Sequence, residues 1–276
     1  MKRTFITFSY GDLNDQLLHR LKFGLDKFSN YELQVYREKD FDVKYNTSDP
    51  EFWQSGNGYV FKVLSCLKAL EKYDEVVWID TDCLVTNYID KIWFESWRLN
   101  NFPLLPKYRF SMFGNNSSNI EVPMTIQVEK SLDKVKDIIP STERMFYSQA
   151  CFMYFNKSCK SFFEEVLFYL NNFNKEIFPY KIFDHRGGVG DESIINFLFW
   201  KYNFTDNLGE IFLCSHYFNY SLEKTIKNKN REDFSINLSI LPERNNFENI
   251  LFFHGTKSIE LTDYLLDCLL NHRLAK

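Results

Sequence analysis

"DEVVWIDTDCLV", Asp74–Val85, is an apolar run that closes on two acids spaced two apart. Val76, Val77, Trp78 and Ile79 read as the interior of a strand. Asp80 and Asp82 break that pattern, and Leu84 and Val85 resume it. Residues i and i+2 of an extended chain point to the same face, so a continuing strand would project both carboxylates side by side from its end. Like charges placed in this way repel unless something positive lies between them. A divalent cation is the simplest candidate.

Working outward, the residues before this run alternate between strand and helix patterns. "RTFITFSYG" (Arg3–Gly11) alternates apolar and polar residues and stops at a glycine, as a first strand should. Leu13, Leu17, Leu18, Leu21 and Leu25 follow at helical spacing. "YELQVYRE" is a second strand, and "YVFKVLSCLKALEKY" places Val60, Val63, Leu64, Leu67 and Leu70 on a second helix. Strand, helix, strand, helix, strand predicts a parallel α/β sheet with right-handed crossovers. In such sheets ligands bind beyond the carboxyl ends of the strands. Asp80 and Asp82 fall at such an end.

The second half is less regular. Phe110–Pro140 is polar and loop-like, "SQACFMYFNK" reads as a strand, and "SCKSFFEEVLFYLNNF" as an amphipathic helix after it. "HRGGVGDESIINFLFWKYN" opens with glycines and becomes a helix at Asp191 or Glu192. Tyr220–Asn249 is charged and Asn-rich, and the chain closes with "ILFFHGTKS" and a final amphipathic helix. No internal repeat or linker stands out. The expectation is one continuous domain over 1–276, with a more regular half at 1–105 and a less regular half at 106–276 that carries "HGTK" and the closing helix.

Composition narrows the function classes. With 276 residues and 45% apolar types the chain has ample material for a packed core. A net charge of −4 gives no support to nucleic-acid binding through general basicity. No segment approaches the roughly 18 uninterrupted apolar residues of a membrane span, and the start has no signal-peptide run. The six cysteines show no CxxC spacing. They read as reduced core thiols, which points to the cytoplasm.

The run from Lys62 through "LKALEKYDEVVWIDTDCLV" resembles the DXD region of metal-dependent GT-A glycosyltransferases, closest to the glycogenin and galactosyltransferase-like group. Lys62, Tyr73, Asp80, Asp82 and Val85 match its pattern of a lysine, a helix ending in L-x-x-Y-(D/E)-x-V, a strand and D-x-D-x-x-V. "SQACFMYFNK" stands where the group has a strand near the donor sugar, with Ser148-Gln149-Ala150 replacing its N-x-G. "GDESIIN" stands at its acidic pair opening a helix, and "HGTK" at its late histidine and lysine, although the group's spacing there is longer and ends in Pro-Trp.

The resemblance implies a GT-A fold: a single Rossmann-like mixed or parallel central sheet flanked by helices. It also implies an enzyme that moves a sugar from a nucleotide-sugar donor, UDP-linked, to an unidentified glycan, protein or small-molecule acceptor. Asp80, Asp82 and His254 would hold Mn²⁺ or Mg²⁺, with the imidazole leaning the choice towards Mn²⁺. Asp80 would be shared between metal and ribose. Lys257 and Lys62 would hold phosphate or donor oxygens, and Tyr10 would stack on the nucleobase. The resemblance leans towards retention of the anomeric configuration; were the reaction inverting, Asp191 or Glu192 would be the general base.

Each reading has a plainer rival. Two acids can be a solvated turn, His254 a hydrogen-bonded core residue, Lys257 a surface lysine, and Asp191 with Glu192 helix-start acids favoured by the dipole. Other functions fit less well. A phosphatase of the haloacid-dehalogenase type also carries D-x-D at a strand end, but Cys83 and Leu84 stand where it wants Gly-Thr, and Asn196 follows the position of its later acid. A nucleotidyltransferase would want a Gly-rich basic loop where "SYGDLND" stands. A non-catalytic sugar-binding module would have no use for a cation site.

Overall fold

The computed structural model describes residues 1–42, 57–106, 148–172, 191–209, 211–214 and 251–254. Four strands form the main sheet: β1 (Arg3–Phe8), β2 (Leu33–Tyr36), β3 (Glu75–Ile79) and β5 (Phe152–Asn156), in the order β2-β1-β3-β5. β2, β1 and β3 run parallel, and β5 is antiparallel to β3. Three short strands build a second sheet: β4 (Leu84–Val85), β7 (Phe252–His254) and β6 (Phe212–Cys214), with β7 in the centre. The described residues also form helices α1 (Gly11–Phe28), α2 (Val60–Lys72), α3 (Lys160–Asn171) and α4 (Asp191–Lys201), and 3₁₀ segments of which the longest is Asp90–Arg98. The expected α/β architecture, a mostly parallel sheet flanked by helices, is the one observed.

Strand alternation divides the core in two. Ile6, Val76, Trp78, Met153 and Phe155 point to the face that also gathers Val63, Cys66 and Ala69 of α2, Phe163 of α3 and Ile195 of α4. Phe5, Val77, Ile79, Phe152 and Tyr154 point to the other face, where they meet Leu21 and Leu25 of α1 and Phe252 of β7. All five β3 residues are buried, which is why Val76–Ile79 is a continuous apolar run and not an alternating one. Each large side chain buried in this way stabilises the fold by about 1.5–3 kcal/mol.

Two boundaries differ from expectation, and both shape the site. β3 stops at Ile79, and the Cys83 N–H donates to Asp80 O at 3.1 Å. Asp80–Cys83 is therefore a tight turn and not a continuing strand, in keeping with the ability of Asp to favour turns over ladders. Leu84 and Val85 then leave the main sheet and pair antiparallel with Phe253 and Phe252. The second boundary is the start of β5, which begins at Phe152 and not at Ser148; residues 148–151 approach it through a bridge and a turn.

Candidate active site

The carboxyl ends of the parallel strands bring the candidate residues to one edge. The β1–β3 register pairs Ile6 with Trp78; carried two residues further, it sets Phe8 level with Asp80. Tyr10, two residues past β1, is at the same edge, exposed at 37% and capping α1. Its carbonyl accepts a hydrogen bond from Asn14 Nδ2 at 2.8 Å.

Asp80 is held from the face that Trp78 and α2 share. The Trp78 indole N–H donates to Asp80 Oδ1 at 2.6 Å, as i, i+2 neighbours on one strand face allow. Lys62 Nζ, from the first turn of α2, lies 3.2 Å from the same oxygen. That leaves Oδ2 facing His254 Nε2 at 3.9 Å. Asp82 Oδ1 lies 3.5 Å from the same imidazole nitrogen.

His254 arrives from a distant part of the sequence through β7. The pairing Leu84↔Phe253 and Val85↔Phe252, taken one step further, sets His254 alongside Cys83, next to Asp82. Phe252 stacks on Phe152 with centroids 5.0 Å apart, tying β7 to β5 and fixing how far the histidine reaches. Asp80, Asp82 and His254 each offer one ligand atom, and these atoms lie within 4.8 Å of one another. All three side chains are partly buried. Around a cation with bonds of about 2.1 Å, neighbouring ligand atoms stand about 3.0 Å apart. The observed separations need only a modest contraction to meet that geometry, so the donor set fits a divalent ion.

Lys62 does not project into open solvent. It is 9% exposed and donates to Ala150 O at 3.0 Å, while its Nζ meets Asp191 Oδ2 at 2.9 Å and lies 5.3 Å from the centre of the Trp78 ring. Burial works against its charge, but Asp191 and Asp80 outweigh burial and hold its pKa well above the ordinary lysine value. Asp191, 2% exposed at the start of α4, is pushed up by burial and pulled back by Lys62. Lys62 thus links the acid that opens α4 to the first acid of the turn.

Glu192 is engaged as well: its Oε2 accepts the Ala150 N–H at 2.9 Å. Asn196, one turn on, accepts the Ser148 N–H and donates to Ser148 O, both at 2.8 Å. Gln149 Nε2 lies 2.9 Å from His254 Nδ1. Lys257, the glycine run at 187–190, Phe110–Pro140 and the closing helix lie outside the described residues.

The structure therefore gathers Lys62, Asp80, Asp82, Asp191, Glu192 and His254, and puts Tyr10 at the same sheet edge. Sequence reasoning passed over Trp78, Gln149 and Asn196. Trp78 was legible in principle, since it stands two residues before Asp80 on one strand face. Gln149 and Asn196 carried no local signal, because their partners are 105 and 48 residues away.

Comparison with known proteins adds little. No family model matches the chain, and no curated protein matches it. Among solved structures it is similar to a glycosyltransferase involved in the glycosylation of the major capsid of PBCV-1, at 9% identity and a TM-score of 0.47 over 96% of this chain and 98% of that one. What the fold and site define is an α/β protein with an Asp-Asp-His cluster at the carboxyl edge of its parallel strands. Among the described residues no helix is long and apolar enough to cross a membrane.

Proposed function

We propose that this chain is a GT-A glycosyltransferase that moves a sugar from a UDP-linked donor to an acceptor with the help of Mn²⁺ or Mg²⁺. The observation that carries the reading is the convergence of Asp80, Asp82 and His254 into a cluster that could hold a cation. A cation held there would neutralise the charge that builds on a departing diphosphate. The protein's own residues supply the positioning. Trp78 and Lys62 fix one oxygen of Asp80 and turn the other towards His254, in the manner of outer-shell partners that orient metal ligands.

In this reading Lys62 acts through Asp80 and not as a direct phosphate contact, because its ammonium is already shared among Asp80, Asp191 and Ala150. Lys257 would supply the cationic contact to the diphosphate, and Tyr10 would face the base. Asp191 and Glu192 would shape the acceptor side: Asp191 by anchoring Lys62, Glu192 by clamping Ala150. Residues 1–105 would hold the nucleotide and 106–276 the acceptor, all in one domain.

A screen of nucleotide sugars for hydrolysis in the presence of Mn²⁺ tests the reading. Release of UDP from one donor, abolished by chelation, is the expected result. Failure of every donor together with hydrolysis of an aryl phosphate would overturn it in favour of a phosphatase built on the same turn.

A further inference from the structure

The stretch Ser148-Gln149-Ala150 is held through its backbone by residues from several elements, among them Lys62, which donates to Ala150 O at 3.0 Å. Ser148 is bonded through both its N–H and its carbonyl to Asn196, each at 2.8 Å. The Gln149 N–H donates to Pro106 O at 3.2 Å, and the Ala150 N–H donates to Glu192 Oε2 at 2.9 Å. Asn196 Nδ2 also donates to Glu192 O at 2.8 Å, bracing the two clamps against each other. The backbone on either side of Gln149 is thus fixed by the first turn and a half of α4. Such rigid support is what a side chain needs if it is to set the orientation of another.

The Gln149 side chain uses that support at one place. It is 8% exposed, its amide end meets His254 Nδ1 at 2.9 Å, and its Oε1 is buried without a hydrogen-bond partner. A buried carbonyl oxygen left without a donor is destabilising. The two ends of a carboxamide are nearly alike in shape, so which of them faces Nδ1 follows from the hydrogen bonds they make. With Nε2 facing Nδ1, the neutral imidazole must carry its proton on Nε2, the atom 3.5 Å from Asp82 Oδ1, and no lone pair is left for a cation. Turned by half a rotation, Oε1 accepts the Nδ1–H and the Nε2 lone pair faces the two acids, while the amide nitrogen takes the buried position that Oε1 leaves.

Resting on the metal site proposed above, we infer that Gln149 is a positioning residue for His254. Its carboxamide oxygen holds the imidazole as the Nδ1–H tautomer and so prepares Nε2 as a ligand. Metal-bound histidines commonly donate their second ring N–H to such a partner, and loss of the partner costs about 10–100-fold in metal affinity. The Cys151 thiol abuts the same imidazole and is the rival for this task.

The experiment is a calorimetric titration of the full chain with Mn²⁺ alone, in wild type, Gln149→Met, Gln149→Glu and Cys151→Ala. Gln149→Met keeps the length and apolar bulk but cannot accept the proton, and about 10–100-fold weaker Mn²⁺ binding is expected. Gln149→Glu restores an acceptor and should bind at least as tightly as wild type, whereas Cys151→Ala should bind like wild type. In the Zn²⁺-loaded wild type, proton NMR should show a slowly exchanging low-field His254 Nδ1–H. Its absence overturns the inference even if the Met variant fails to fold. Equal losses in the Met and Glu variants would mean packing alone, and a loss confined to Cys151→Ala would assign the role to the thiol; both overturn it. A wild type that binds no Mn²⁺ removes the metal site itself, which is a different failure from a wild type that binds and does not respond at Gln149.

Discussion

Lys62 Nζ lies 3.2 Å from Asp80 Oδ1, so the first acid of the turn is tied to a cation buried in the first turn of α2. The same ammonium neutralises Asp191 at 2.9 Å. One lysine therefore sets the charge balance of two acids, Asp80 and Asp191, that lie far apart in the sequence.

Lys62→Met should be strongly destabilising. Removing one partner from a buried pair leaves an uncompensated charge and costs about 3–5 kcal/mol, which at roughly 2–4 °C per kcal/mol lowers Tm by about 6–20 °C. The sign with pH follows from Asp191. Burial already raises its folded pKa above the ordinary 3.8, and without Lys62 only the smaller pull of the Glu192 backbone N–H is left to offset that. A carboxyl with a raised folded pKa favours the folded state only while protonated, so stability is lost as pH climbs past its unfolded value. The deficit of the variant should be smallest in acid and widen towards neutrality. Adding Asp191→Asn should recover part of it. Thermal melts of the three proteins across pH decide the matter, and a pH-independent deficit would refute the account.

The second acid of the turn carries a different expectation. Asp82→Asn replaces a carboxylate with a much weaker ligand for a hard cation. The fold should survive, since Asp82 is partly exposed on a turn. Calorimetry with Mn²⁺ and UDP should show cation-dependent nucleotide binding lost in the variant and present in the parent. Equal affinity in both would remove the central claim about this site.

The sequence made some of this legible and hid the rest for physical reasons. The continuous apolar run Val76–Ile79 announced a strand covered on both faces, and the helical spacing of Val60–Leu70 announced the helix that covers it. Asp80 and Asp82 stood out because charge at the end of such a run is costly without a partner. The exit of Leu84 and Val85 into a second sheet was not legible, because that pairing depends on β7, about 170 residues away in the chain. Lys62 looked like a phosphate contact because its spacing cannot say which way a long side chain turns. Its burial became evident only once Trp78, Ala150 and Asp191 were placed around it.

Close packing behind the turn gives a third expectation. A Cβ added at Gly24 of α1 would come within 2.7 Å of Val85 O and 3.1 Å of Val85 Cβ. Backbone cannot yield as a flexible side-chain end would, so Gly24→Ala must push α1 and β4 apart. The overpacking should cost about 1–3 kcal/mol, outweighing the gain in helix propensity of up to about 1 kcal/mol. Because β4 also pairs with β7, the shift should reach His254 and weaken Mn²⁺ binding. A variant with wild-type Tm and wild-type Mn²⁺ affinity would show that α1 is free to move without disturbing the site.

The last expectation separates the roles open to the acids at the start of α4. Asp191 is buried against Lys62, and Glu192 holds the Ala150 N–H, so both are engaged in positioning before any substrate arrives. If positioning is their task, Asp191→Asn should loosen the Lys62–Asp80 link and weaken Mn²⁺ and UDP binding along with transfer. If Asp191 were instead a general base towards the acceptor, transfer would fall by about 10²–10⁴-fold in kcat with donor affinity nearly unchanged. Glu192→Gln retains a carbonyl oxygen that can accept from Ala150, so it should be nearly silent in a positioning role and damaging in a base role. The configuration of the product, read by NMR, closes the choice. A retained anomeric centre leaves no need for a dedicated base, whereas an inverted one joined to a pure kcat loss at Asp191 would make that residue the base and end the positioning account of the Lys62 relay.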